Sequence, residues 1–322
     1  MNAGDRRSTT LPRDPGRYGA YLEPVRRRAH AVVDRLPAPL REFLIFGFKE
    51  TWASLFAGLM LAAILATKLV WQPDWWLARY DFLFLYAIAV QLAFLALKLE
   101  RLDEAKVIAI FHVVGTVMEL FKTDVGSWHY PEANFFRIGG VPLFSGFLYS
   151  CVGSYIARST RIFDLRYSRF PPMWVAGLVS ALIYVNFFSH HFVPDMRLGL
   201  FAATLIVFGR TQVQFTVDRL PRTMPLVLAF LLIALFIWLA EVVGTASATW
   251  SYARTGLVSP AKLGSWYLLM ILSYVLVLLV HPPRPFAAPG RDGREGDPAE
   301  SPQSARMSER QTAPPRVVAG EE

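Results

Sequence analysis

Cysteine is nearly missing from this sequence. Cys151 is the only one in 322 residues, which excludes an intrachain disulfide and any metal site built from several thiolates. Charge is scarce as well: 18% of the residues are charged, and the 33 basic side chains outnumber the 25 acidic ones, for a net +8. No glycine-rich phosphate loop, nucleophile elbow or ATP-binding signature occurs, so ATP-driven transport or chemistry by this chain alone is excluded. The H-x3-H and H-E-x2-H spacings are lacking. Adjacent His190 and His191, with Asp195 nearby, would point to different sides of a helix, so neither a metal nor any other cofactor is expected. No apolar stretch ending in a small-residue cleavage site precedes Phe43, and no signal peptide is expected.

Apolar residues fill the space that charge leaves. They make up 54% of the chain, with 24 Phe, 12 Tyr and 9 Trp, and they concentrate between two polar tails. Such a composition exceeds that of an ordinary soluble domain and indicates an all-α, polytopic integral membrane protein. Hydrophobic windows predict eight spans, near residues 50–71, 80–98, 106–122, 141–158, 173–190, 197–216, 223–243 and 262–280. The sixth has the least definite ends, because Arg210, Gln212 and Gln214 fall in its second half.

Lys and Arg set the orientation. The amino-terminal tail and the loops holding Arg101 and Lys106, then Arg158, Arg161, Arg166 and Arg169, then Arg219 and Arg222, are predicted to be cytoplasmic. The alternate loops are richer in Trp, Pro and His and would face outward. Both termini would then lie inside a bacterial inner membrane. The net charge reads as positive-inside bias plus a basic tail, so membrane lipids are the expected partners and nucleic acid is not. Residues 1–46 are expected to form a basic tail ending in an amphipathic helix on the inner leaflet, and residues 282–322 a disordered tail.

The membrane part repeats itself. Glu119, Thr123, Trp128 and Tyr130 form E-x3-T-x4-W-x-Y, and Glu241, Thr245, Trp250 and Tyr252 restate that spacing 122 residues later. Pro142, Gly146 and Tyr149 recur as Pro260, Gly264 and Tyr267, at an offset of 118. Residues 47–160 and 161–281 therefore read as two copies with four spans each. An even number of spans makes the copies parallel, which predicts a pseudo-twofold axis along the membrane normal.

Shared residues are where chemistry is sought. A third span starting at Lys106 puts Glu119 roughly 20 Å up a core about 30 Å thick, where a carboxylate must be paired, hydrated or protonated. His112, Thr116, Glu119 and Thr123 share one helical face, which must meet protein or a cavity. Two readings stay open for Glu119: a structural one, paired with Lys122 or bonded to a Trp or Tyr of the next loop, and a functional one, as a proton donor or cation ligand. Glu241 lacks the local partner, having Gly244 at the equivalent position. Trp128 and Tyr130, with Trp250 and Tyr252, fit either an interfacial aromatic belt or a lid over a central pocket lined also by His112, Thr116, Thr123 and Thr245. The fourth span carries Gly146, Ser150 and Ser154 at small-xxx-small spacing, a signature of close helix packing.

The stretch from His112 to Glu132, followed by that from Gly139 to Tyr155, resembles the bacterial membrane family known as domain of unknown function 817. That resemblance implies a membrane fold and no particular activity. A looser pattern of acidic, aromatic and Pro positions is similar to the polytopic carotenoid hydratases and small-subunit lycopene cyclases, and covers Glu119, Trp128, Tyr130 and Pro142. It implies protonation of a polyene by an intramembrane carboxylic acid. Three functions follow as expectations: an enzyme of lipophilic, isoprenoid-like substrates with Glu119 and Glu241 as the catalytic pair, a proton- or cation-coupled transporter, and a non-catalytic scaffold. The sequence names no substrate and no oligomeric state.

Overall fold

A computed structural model describes residues 36–72, 74–218, 221–252 and 259–286. The stretch 20–35 of the expected inner-leaflet helix, Arg219 and Arg254 lie outside them, as does 287–322 of the carboxy-terminal tail. Nine helices occur among the described residues: α1 (Ala38–Ala53), α2 (Leu55–Val70), α3 (Arg79–Ala96), α4 (Leu102–Asp124), α5 (Phe144–Ile162), α6 (Met173–Ser189), α7 (Arg197–Phe208), α8 (Leu226–Ala246) and α9 (Pro260–Val280). Proline punctuates them as its missing N–H requires: Pro37, Pro172 and Pro225 immediately precede α1, α6 and α8, and Pro260 opens α9.

By length and apolarity α3, α8 and α9 could each cross a membrane. The α1–α2 pair would make a fourth, but it bends by 68° at Ser54. Helix α1 is tied to the segment around Gln212–Thr216, by Arg41 on Asp218 at 2.9 Å and by Lys49 Nζ on the Thr216 carbonyl at 2.8 Å. Helices α6 and α7 are apolar but only 17 and 12 residues long. Large apolar side chains lie exposed along α6 (Trp174, Leu178, Leu182, Val185) and α8 (Leu228, Leu232, Phe236, Leu239). Stripes of this kind on a helix surface are stable against lipid and costly against water.

The structure corrects the all-α expectation in one region. Short strands accompany the helices, and three of them, β4 (Arg166–Ser168), β5 (Gln212–Thr216) and β6 (Pro221–Pro225), form an antiparallel sheet in the order β4-β5-β6. The predicted sixth span of 197–216 therefore stops as a helix at Phe208, and the seventh starts at Leu226 instead of 223. Windowed hydropathy averages over the change of period. Gln212, Val213, Gln214 and Phe215 alternate polar and apolar, Val213 is buried, and the prolines sit at the ends of an edge strand.

Helices α4 and α5 approach most closely. A Cβ added at Gly115 would stand 2.6 Å from the Tyr149 ring, and one at Gly153 would stand 2.7 Å from Phe111. Ser150 Oγ donates to the Ile108 carbonyl at 2.9 Å. The small-residue stripe of α5 thus packs closely on its neighbour. One apolar core cluster joins Phe111 of α4 with Phe208, Phe230 and Tyr274 from the second half, and another holds Phe56, Phe94, Ile108 and Phe147.

Loops converge in two groups. The sheet β4-β5-β6 gathers with α1, through Arg41–Asp218 and Arg222–Glu42, and with the end of α9, through the Tyr167 amide donating to the Arg284 carbonyl at 2.8 Å. At the other ends of the helices, β1 (Trp128–His129) pairs antiparallel with β7 (Ser251–Tyr252), and β2 (Arg137–Ile138) with β3 (Val141–Pro142). There Asp81 accepts the Phe135 and Phe136 amides at 2.8 and 2.7 Å, Arg79 meets Glu132 at 2.8 Å, and the Tyr80 hydroxyl donates to the Thr249 carbonyl at 2.7 Å.

Candidate functional site

A cavity of about 1460 Å³ runs through the helices. Its walls are mostly apolar. One end is edged by Glu50, Ser54, Tyr155 and Ser159, and the other by Glu119, Lys122, Glu241, Lys262 and their aromatic neighbours. Gly58 of α2 and Leu232 and Phe236 of α8 line it while also lying exposed, so it opens sideways on the surface of the bundle.

Helix α4 delivers Glu119 to the polar end, where the following loop turns back over it. The carboxylate is 5% exposed and accepts three hydrogen bonds: Trp128 Nε1 at 2.7 Å and the Tyr130 hydroxyl at 2.8 Å on Oε2, and the Tyr149 hydroxyl at 2.9 Å on Oε1. Every donor is neutral. Lys122, one turn on, faces elsewhere. Its Nζ lies 2.8 Å from His191 Nε2 and 4.2 Å from the centre of the Phe187 ring. The possible Glu119–Lys122 ion pair is thereby corrected: the two side chains leave α4 in different directions, and the bond to loop Trp and Tyr is the contact that forms. Burial, the Lys122 ammonium and neighbouring His190 hold the His191 pKa below its usual value, as suits a neutral imidazole accepting from Lys122.

Glu241 is held differently. Lys262 of α9 reaches its Oε1 at 3.2 Å, where Thr245 Oγ1 also donates at 2.9 Å, and Oε2 is buried without a hydrogen-bond partner. Lys262 also stands 3.5 Å from the centre of the Tyr252 ring, a cation-π contact. Burial, and then the Glu241 and Glu119 carboxylates, push the Tyr252 hydroxyl pKa well up. Tyr130 is likewise pushed up by burial and then by Glu119.

The two motif copies meet in the β1–β7 ladder. Trp128 opposes Tyr252 and His129 opposes Ser251, with the Trp128 and Tyr252 rings 5.7 Å apart. His129 and Ser251 are themselves 122 residues apart, the repeat offset, so equivalent positions face each other across the ladder.

Of the expected pocket residues, Trp128, Tyr130, Trp250 and Tyr252 border the cavity together with Glu119 and Glu241. His112, Thr116 and Thr123 are placed elsewhere. Thr116 Oγ1 bonds back to the His112 carbonyl at 2.7 Å, the His112 ring packs 4.3 Å from Phe147, and a Cβ at Gly146 would touch both residues. Thr123 Oγ1 is buried with no hydrogen-bond partner, and its Cγ2 methyl faces Gly140. Thr245 acts through Glu241. Two contributors escaped sequence reading. Tyr149 belongs to the repeated P-x3-G-x2-Y, which could have flagged it, whereas Lys262 occupies a position where the first copy has Phe144 and had no such signal. Among the described residues no group of three or more His, Cys, Asp or Glu is placed to hold a metal ion.

Residues 42–274 match the profile of the family described as protein of unknown function DUF817. The chain is similar to the uncharacterized protein YoaT of Bacillus subtilis (strain 168), 38% identical over 242 residues, which is 74% of this chain and 91% of the relative. No solved structure matches it. The chain belongs to the DUF817 family.

Proposed function

We propose that this DUF817 member is an eight-span inner-membrane protein, both termini cytoplasmic, that binds a lipophilic, isoprenoid-like molecule in its cavity and acts on it with Glu119 as general acid. The observation that carries the reading is Glu119 itself: a buried carboxyl at the rim of a large apolar cavity, bonded only by neutral donors. The anchoring carboxylates are held differently, Asp81 by the Phe135 and Phe136 amides of a loop and Glu241 by Lys262, whereas the three donors on Glu119 all border the cavity. An indole N–H can only donate, so Oε2 is committed to accepting, and the exchangeable proton belongs on the Oε1 side, where Tyr149 borders the cavity. Aromatic faces around that point would stabilise a developing carbocation.

The gathering of the basic loops with α1 and the end of α9, and of the aromatic loops at the opposite ends of the helices, supports the topology. The β1–β7 register is the one a local twofold axis between parallel repeats 47–160 and 161–281 would produce, and it supports duplication. The sideways opening at α2 and α8 favours an enzyme drawing its substrate from the bilayer. Polar groups at both ends of the cavity favour the second reading, a proton- or cation-coupled transporter.

The test compares membrane lipids and medium metabolites from a deletion strain complemented with wild type, Glu119→Gln or Glu241→Gln. A lipid-soluble precursor accumulating in the deletion and Glu119→Gln strains supports the enzyme. A solute redistributed without chemical change supports the transporter, and unchanged lipids and metabolites would overturn both.

A further inference from the structure

The cavity's polar end holds charge that the acid chemistry leaves unused. Lys122 is 3% exposed and borders the cavity, yet among the described residues no carboxylate lies within ion-pair distance of it. Its nitrogen partner is the His191 imidazole. Burying an ammonium against only an imidazole and the Phe187 face forfeits hydration that neither contact restores in full. Asp195, the acid whose charge acts on Lys122, is already engaged: Arg197 takes it through its guanidinium and also by a backbone N–H at 3.0 Å, and Asn186 Nδ2 donates to it at 3.2 Å.

Further donors converge on the same place from other elements. Arg197 at the start of α7 borders the cavity and directs Nη1 to Ser265 Oγ at 3.1 Å. Ser265 lies one turn beyond Lys262 on α9, and Ser127, after α4, sits 3.5 Å from His191 Nε2. Counting formal charges, Arg197 is matched by Asp195 and Lys262 by Glu241, while Glu119 is satisfied by neutral donors. Lys122 is then the cation at this end of the cavity that has no ion-pair partner among the described residues. The Ser265 hydroxyl itself donates to the Ala261 carbonyl at 3.2 Å and so serves to position Arg197, while an ammonium and a guanidinium on separate elements, with the Ser127 hydroxyl beside His191, suit an oxyanion that offers several acceptor oxygens.

We infer that Lys122, with Arg197, Ser127 and Ser265 around it, is a binding site for the phosphate-type anionic head of a molecule whose apolar body lies in the cavity. This names the substrate class for the function proposed above and rests on that reading of the cavity. The site fixes the head group, and the length of the cavity then places the tail past Glu119 along the apolar wall.

The test uses the full chain in phosphatidylcholine nanodiscs and follows cavity tryptophan fluorescence during titration with farnesyl monophosphate, farnesol or inorganic phosphate. Farnesyl monophosphate should bind at least tenfold more tightly than farnesol. Lys122→Gln should remove that preference while leaving farnesol affinity unchanged, and Arg197→Gln should reduce it. Lys68→Gln, an exposed lysine at the end of α2, should leave it alone. Retained farnesol binding shows that each variant is folded. Equal binding of farnesyl monophosphate and farnesol, indifferent to Lys122, overturns the anion site and leaves the lipophilic cavity standing. Inorganic phosphate binding as tightly as the prenyl phosphate, and lost in Lys122→Gln, upholds the anion site with a soluble source and overturns the lipophilic reading. Binding of none of the three overturns both.

Discussion

Glu119 and Glu241 occupy the same position in two copies of one motif, and their surroundings have parted. The first is held by an indole and two phenols, while the second is held by a threonine and a lysine from α9. In a low-dielectric interior this difference decides what each can do. A carboxylate matched by an ammonium is an ion pair whose removal exposes a charge, and a carboxyl ringed by neutral donors can change protonation without stranding a cation. The two matching motifs hold two acids, and Lys262 pairs with one of them while the other meets neutral donors.

The comparison breaks most visibly at Glu119. Glu119→Gln keeps the side chain's shape and should lower turnover by about two to four orders of magnitude, with the detergent melting temperature nearly unchanged. A large fall in melting temperature would move Glu119 to the structural side. Lys262→Met should destabilise the protein by about 3–5 kcal/mol in reversible unfolding, because it removes one partner of a buried ion pair. Adding Glu241→Gln should recover most of that loss, and failure to recover would mean that the pair is not the source of the effect. Tyr149→Phe removes one of the hydrogen bonds on Glu119 and should cost about 0.5–1.5 kcal/mol, with a fall in activity that Tyr267→Phe, its counterpart in the second copy, does not share. A smaller effect sharpens the symmetry: in a Cys151→Ser background, His129→Cys with Ser251→Cys should oxidise to a disulfide, seen as retained linkage after proteolysis between the halves. Directly opposed strand residues bring their Cα atoms within disulfide range. Absence of that linkage would contradict the β1–β7 register.

Features carried by local sequence were legible in advance. Helix positions followed from hydrophobic runs and proline, and the fixed spacing of Trp128 and Tyr130 after Glu119 announced their contact, because nine and eleven residues are enough for the chain to turn over a helix end and fold back. The small-residue stripe of α5 was equally local. What escaped depends on distant partners. Lys122 and His191 meet across 69 residues, and the ties of α1 to Asp218 and the Thr216 carbonyl span 177 and 167 residues. The β4-β5-β6 sheet was hidden for another reason: a strand of five residues between two apolar helices raises no distinct signal in a window sized for a span. His112 and Thr116 share a helical face with Glu119, and the close approach at Gly146 assigns that part of the face to packing.

The β1–β7 ladder has a mechanical side. It clasps the two halves at the ends of the helices where the aromatic loops gather, close to the hydroxyl of Tyr80 on the Thr249 carbonyl. Any swing of one half against the other must either unfasten that clasp or pivot about it. Pivoting costs fewer contacts, and it would spread the helices at the end floored by α1 while the clasped end stays shut. Whatever occupies the cavity would then enter and leave by the side or from α1's end, with the loops carrying Trp128 and Tyr252 acting as a hinge.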